Sequence, residues 1–120
     1  EDAFSRHDIV GWEFDVLAAL RRAGEPYRLS PGSLLRETLV TSGTMTNRVD
    51  RLVARGLVTR DPDPRDRRGV LVGLTDEGRN RVDGALDDLL AAERLLLRGL
   101  DDDQRADLAG LLRRLGAAFA

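Results

Sequence analysis

The chain has 120 residues, the length of one domain, with 42% apolar residues, 4% aromatic ones and a formal net charge of −2. With no Cys and a single His (His7), it excludes disulfides, thiolate or His-rich metal centres and cysteine redox sensing, and its core must be aliphatic. No apolar run approaches the roughly 18 residues that span a bilayer and no charged-then-apolar leader is present, so a soluble, cytoplasmic protein is expected.

Residues 1–10 carry no clear period. The spacing of Val16, Leu17 and Leu20 predicts a helix from about Trp12 to Ala23, broken by Gly24, Pro26 and Tyr27. Ser30 and Pro31, an N-cap residue followed by proline at the first helical position, start a short helix that runs to about Leu39. A turn at Thr41-Ser42-Gly43 leads into a third helix, about Gly43 to Arg55, which Gly56 ends in the left-handed conformation glycine tolerates best. The period then changes to two. Leu57-Val58-Thr59-Arg60-Asp61 and Gly69-Val70-Leu71-Val72-Gly73-Leu74 predict paired strands. The link Pro62-Asp63-Pro64-Arg65-Asp66-Arg67-Arg68 is turn chemistry with three arginines, so the hairpin has a basic tip. Thr75 caps a long helix, with Asp76 and Glu77 in the first turn and Val82, Leu86, Leu89 and Leu90 as its stripe. A capping box at Asp101-Asp102-Asp103-Gln104 opens a last helix bearing Leu108, Leu111, Leu112, Leu115 and Phe119. No repeat, low-complexity tract or second domain interrupts this order.

The third helix carries the chemistry. At about 100° per residue, Met45, Val49, Leu52 and Val53 cover a buried arc, while Thr44, Asn47, Arg51 and Arg55 fall on the opposite side. Short polar groups and Arg on one exposed face suit the DNA major groove, where Arg pairs with guanine O6 and N7 and Asn with adenine N6 and N7. A solvated surface helix has the same pattern, and context favours the groove over it: a short helix, a turn and an amphipathic helix make a helix-turn-helix, with the basic hairpin directly after. Such a tip fits the neighbouring minor groove. At the tip, Asp66 is expected to hold Arg68 while Arg65 or Arg67 reaches outward; the alternative is a solvated loop in which these acids and arginines pair with one another. Charge follows the same division. Residues 28–81 hold eleven Arg and seven acids, a balance of +4, while residues 1–27 and 82–120 each balance at −3.

The run Ser42-Gly43-Thr44-Met45-Thr46-Asn47-Arg48-Val49-Asp50-Arg51-Leu52, then Arg55-Gly56-Leu57-Val58, then Asp66-Arg67-Arg68-Gly69-Val70-Leu71-Val72-Gly73-Leu74-Thr75, resembles the multiple antibiotic resistance regulator (MarR) family over about residues 12 to 115. The resemblance implies a mainly α fold with a small β-hairpin wing. It places a winged helix-turn-helix over about 12–75 and dimerisation helices over about 75–120 of a single domain, 1–120, whose N-terminal helix is truncated or absent. It also implies a homodimeric regulator, usually a repressor released by a small molecule, with no catalytic residue, metal or cofactor. Carried over by position, Ser42, Thr44, Asn47 and Arg51 read DNA with Thr46 and Arg48 beside them, Arg65, Arg67 and Arg68 serve the wing, and Asp66 and Arg68 form its ion pair.

Glu13-Phe14-Asp15-Val16-Leu17, Pro26-Tyr27-Arg28-Leu29 and Thr41-Ser42-Gly43 are similar to the urate-responsive subgroup. That likeness makes Asp15, Arg48 and Arg60 the ligands of a purine-like or small aromatic anion. The same residues also fit a plainer account: Asp15 as a helix-start dipole partner, Arg48 as a phosphate contact and Arg60 in a cross-strand ion pair. The subgroup has a long N-terminal region with a pocket Trp, whereas Trp12 lies in a different segment.

Leu95, Leu96 and Leu97 run consecutively, so at least one faces away from any single neighbour. Together with Leu108, Leu111, Leu112, Leu115 and Phe119 they are expected to meet a second copy, which would set two recognition helices on half-sites of a pseudo-palindromic operator. The competing functions are a winged-helix protein–protein module without ligand response, which the arginine-tipped wing argues against; an enzyme, for which no nucleophile–base pair or phosphate-cradling loop is present; and a metal-sensing repressor, which the lack of Cys disfavours.

Overall fold

A computed structural model of the chain describes residues 3–118, with side chains over residues 4–114. The framework divides into two compact units, one up to Leu86 and one from Asp87 on. The first holds α1 (Ala3–Arg6), α2 (Gly11–Arg22), β1 (Arg28–Leu29), α3 (Pro31–Thr38), α4 (Ser42–Ala54), β2 (Val58–Asp63), β3 (Asp66–Leu74) and the start of α5 (Asp76–Leu97). The remainder of α5 and α6 (Asp102–Ala118) make up the second. The fold is mainly helical with a small antiparallel wing, as expected.

The first unit is built around an aliphatic core. Val16, Leu17 and Leu20 of α2, Leu34 of α3, Met45 and Leu52 of α4, and Leu57, Val72 and Val82 are fully buried. α3 and α4 each start on a side-chain cap that satisfies one of the orphan amides. The Ser30 Oγ accepts the Ser33 N–H at 3.2 Å with Pro31 following it, and the Thr41 Oγ1 accepts the Thr44 N–H at 3.2 Å, so α4 begins one residue earlier than predicted. α4 ends at Gly56, which takes φ +73°. There the Leu57 N–H reaches the Leu52 carbonyl and the Gly56 N–H the Val53 carbonyl, both at 3.0 Å, closing a Schellman motif.

The sheet order is β1-β3-β2, all antiparallel. β2 and β3 are the predicted hairpin, extended by a register shift between Pro62 and Asp63. β1 was not predicted. Arg28 and Leu29 pair with Gly73 and Val72, and two residues give a period-of-two pattern nothing to repeat.

The Leu74-Thr75-x-x-Gly78 motif is a clip between the end of α4 and the start of α5. The Thr75 N–H donates to the Leu57 carbonyl at 3.2 Å and the Thr75 hydroxyl to the Gly56 carbonyl at 2.8 Å, while the same hydroxyl oxygen accepts the Gly78 N–H at 3.0 Å. Gly78 rests against Leu57 so closely that a Cβ there would overlap the Leu57 carbonyl oxygen. Gly78→Ala is therefore expected to cost about 2 kcal/mol, as overpacking against backbone does, and to be read in the urea midpoint at fixed protein concentration.

The boundary after Leu86 falls inside α5, not at its start. Val82 and Ala85 are buried in the first core, whereas Leu86 and Leu90 are each 41% exposed. In the second unit the expected capping box is present: the Gln104 N–H donates to Asp101 Oδ1 at 2.8 Å and the Asp101 N–H to Gln104 Oε1 at 2.9 Å. No described helix is long and apolar enough to cross a membrane.

Candidate nucleic-acid interface

α4 is held by its buried side, Met45, Val49 and Leu52. Val53, expected in that arc, is 38% exposed, because it lies about 80° round the helix from Met45 and beyond the reach of the core. Ser42, Thr44, Thr46, Asn47 and Arg51 are exposed and Arg48 is half-buried. Thr46 turns its hydroxyl back to the Ser42 carbonyl at 3.0 Å, and Thr44 shares a hydroxyl contact with Thr41 at 2.9 Å. Among the described residues neither Asn47 nor Arg51 has a side-chain partner, so both present their full hydrogen-bonding capacity outward.

Arg55 is a correction. The helical wheel set it with Thr44, Asn47 and Arg51, but it caps the end of α4 and turns toward α2. It forms an ion pair with the buried carboxylate of Glu13, donates to the Asp8 carbonyl at 2.6 Å and meets the Asp8 carboxylate at 3.1 Å. Glu13 also accepts the Val10 N–H at 3.0 Å, and Arg81 of α5 reaches the Asp8 carboxylate at 3.1 Å. A carboxylate that is 5% exposed must be paired, and this need draws Arg55 off the recognition face.

The wing tip is built by Asx turns. Asp63 Oδ1 accepts the Arg65 N–H at 2.9 Å and Asp66 Oδ1 the Arg68 N–H at 3.0 Å. The Asp66–Arg68 contact is thus a side-chain to backbone hydrogen bond, where a side-chain ion pair was expected. With both acids occupied by amides, Arg65, Arg67 and Arg68 are exposed and no described ion pair engages their guanidinium groups.

The three expected effector ligands are not gathered in one cavity. Asp15 is exposed on α2. The Arg48 guanidinium lies 5.5 Å from the centre of the Trp12 ring, and both line a depression of about 280 Å³ with Thr44, Asn47 and Arg51. Arg60 lies on the other flank of α4 and pairs with Asp50 at 2.5 Å, a partner on the helix rather than across the sheet. It lines a separate, mainly apolar cavity of about 170 Å³ with Leu35, Met45, Val49, Val70 and Val72. Trp12 draws Arg48 toward α2, and Asp50 holds Arg60 on the wing side.

A MarR family model matches residues 7–69, more than half of the chain. The chain belongs to the MarR family. MarR-family proteins are winged-helix DNA-binding transcription regulators, not enzymes. The chain is similar to the HTH-type transcriptional regulator PecS of Dickeya dadantii (strain 3937), 35% identical over 115 residues that cover 96% of this chain and 69% of PecS. A structure of mutant MarR from E. coli complexed with operator DNA superposes with a TM-score of 0.74 at 34% identity, covering 93% of this chain and 79% of that one. A structure of Bordetella bronchiseptica BpsR, whose DNA binding is regulated by 6-hydroxynicotinic acid, superposes with a TM-score of 0.71 at 30% identity over 95% and 82% of the two chains. The chain spans between 47% and 70% of the length of eight curated relatives.

In this MarR-family chain, sequence reasoning missed two side-chain groupings near α4: Trp12 against Arg48, and Glu13 with Arg55 and Asp8. The second had a signal, since Glu at the third position of a helix often accepts an amide at its own N-cap. Of the expected dimer residues, Leu95, Leu96, Leu111 and Leu112 are 58–77% exposed, and Leu97 and Leu108 are half-buried. Phe119 and the side chain of Leu115 lie outside the described residues.

Proposed function

We propose that the chain is a homodimeric repressor that grips a pseudo-palindromic operator and releases it when a small aromatic anion binds. The observation that carries this reading is the unpartnered pair Asn47 and Arg51 on the exposed side of α4, next to a wing whose acids are turned onto its own backbone. Asn47 and Arg51, with Ser42 and Thr44, are the base readers, and Arg65, Arg67 and Arg68 are the wing contacts. Each wing arginine lost to Ala is expected to lower the slope of log affinity against log salt by about one, alike on operator and random duplex. Binding isotherms at four salt concentrations measure this.

The anion's site is best supported at the apolar cavity behind α4. Arg60 at its edge would exchange Asp50 for the anion, and α4 supplies Met45 and Val49 to its wall, so an occupant wider than the cavity shifts the helix that reads DNA. The relation to BpsR supports this chemical class. The deciding experiment is a gel shift on the upstream region of its own gene, with and without urate and simple aromatic acids. Release by one of these acids is the expected result. A protein that binds its own upstream region and a scrambled duplex equally overturns the reading in favour of a protein–protein module.

The second copy is proposed to cover the exposed leucines of residues 95–112, since faces of this apolar content seldom stay in water. Leu96→Arg is expected to yield monomers in sedimentation velocity and to abolish operator binding at concentrations where the unmodified chain is dimeric. A dimeric L96R protein would remove Leu96 from the interface.

A further inference from the structure

Trp12 stands at the start of α2, outside both the recognition helix and the wing, yet it lines one depression with Thr44, Asn47, Arg48 and Arg51. The other four residues all belong to the exposed flank of α4. The Arg48 guanidinium sits 5.5 Å from the ring centre, within the range of a cation–π contact, and indole is the strongest of the aromatic partners. No carboxylate pairs with Arg48 among the described residues. Its charge is therefore held in place without being neutralised. An ion pair with an acid would fix the same side chain but would cancel the charge a phosphate needs.

We propose that Trp12 belongs to the DNA-binding surface, as the platform that holds the Arg48 guanidinium ready for a phosphate of the duplex backbone. The proposal rests on the DNA-binding reading given above and adds a positioning residue to it. A long side chain ordered only on binding gives up rotamer freedom at that moment, whereas one already laid on a ring has given it up in folding. The half-buried position of Arg48, at the border of the exposed face, fits a backbone contact better than a base contact, because phosphates flank the groove that Asn47 and Arg51 enter. The polar depression and its separation from the cavity at Arg60 favour DNA over a small aromatic ligand as the occupant.

The test is a double-mutant cycle on duplex affinity. Trp12→Leu keeps apolar bulk and removes the ring face; Trp12→Phe keeps a ring. W12L is expected to weaken binding about threefold to fivefold, on the upstream duplex and on a scrambled one alike, because a phosphate contact carries no sequence information. W12F is expected to retain most of the affinity. In an Arg48→Ala background, W12L is expected to add no further loss. The chain has one Trp, so quenching or shift of its emission on adding duplex gives a second readout. Losses from W12L and R48A that multiply would overturn the proposal, as would a W12L protein that binds duplex normally but no longer responds to the aromatic acid. The parent reading fails separately, by equal binding to upstream and scrambled duplexes; the cycle on the scrambled duplex still decides the role of Trp12. A protein that binds neither duplex overturns both.

Discussion

Arg51→Ala is expected to lower operator affinity by about 1–3 kcal/mol, roughly fivefold to 150-fold, and to relax preference at one base position in each half-site. Arg51 is exposed on α4 and has no side-chain partner among the described residues, so its removal takes nothing from the fold. The whole effect should appear in binding, with the urea midpoint unchanged. This separates Arg51 from the wing arginines, whose loss is expected to weaken all duplexes by similar factors. Anisotropy titrations against an operator series with single base-pair changes measure both the loss and its position. If the variant ranks that series as the unmodified chain does, Arg51 touches backbone only and the assignment of α4 as base reader is wrong.

Arg55→Met should act on stability instead. It leaves the Glu13 carboxylate, 5% exposed, without its cation in the interior, and breaking a buried pair from one side costs about 3–5 kcal/mol. The low end of that range, about 3 kcal/mol, is expected because Arg55 itself is 32% exposed and part of its interaction is screened by water. Glu13→Leu should cost less, since the Arg55 left behind keeps the Asp8 carbonyl and carboxylate and can reach solvent. The double replacement should recover much of the loss from Arg55→Met, as apolar substitutes for a buried pair often do. Urea titrations of the three variants at one protein concentration test the order. An Arg55→Met protein as stable as the unmodified chain would show that Glu13 finds water or another donor.

The contrast between Arg51 and Arg55 shows what a helical wheel can resolve. Both fall on the polar side of the third helix by angle, but the wheel knows nothing of the neighbour at each height. Arg55 sits at the last turn, beside a buried acid supplied by α2; Arg51 sits one turn earlier, where no acid waits. The cap at Ser30, the left-handed Gly56 and the Asp101–Gln104 box were legible because each depends on residues close to one another in the chain. The pairing of β1 with β3, the ring of Trp12 under Arg48 and the separation of Arg48 from Arg60 span from 12 to more than 40 positions in the chain, and no local period encodes them. The MarR-like motifs marked out α4 and the wing, yet the subgroup likeness grouped Asp15, Arg48 and Arg60 at one site, whereas here Arg48 lies against Trp12 and Arg60 against Asp50 in separate depressions.

The Leu57 carbonyl accepts an amide from Thr75 and lies flush against Gly78, so one peptide group just past the end of α4 is also the seat of the start of α5. A tilt of either helix at this end has to displace that shared contact. The end of α4 and the first turn of α5 therefore meet on a single carbonyl oxygen.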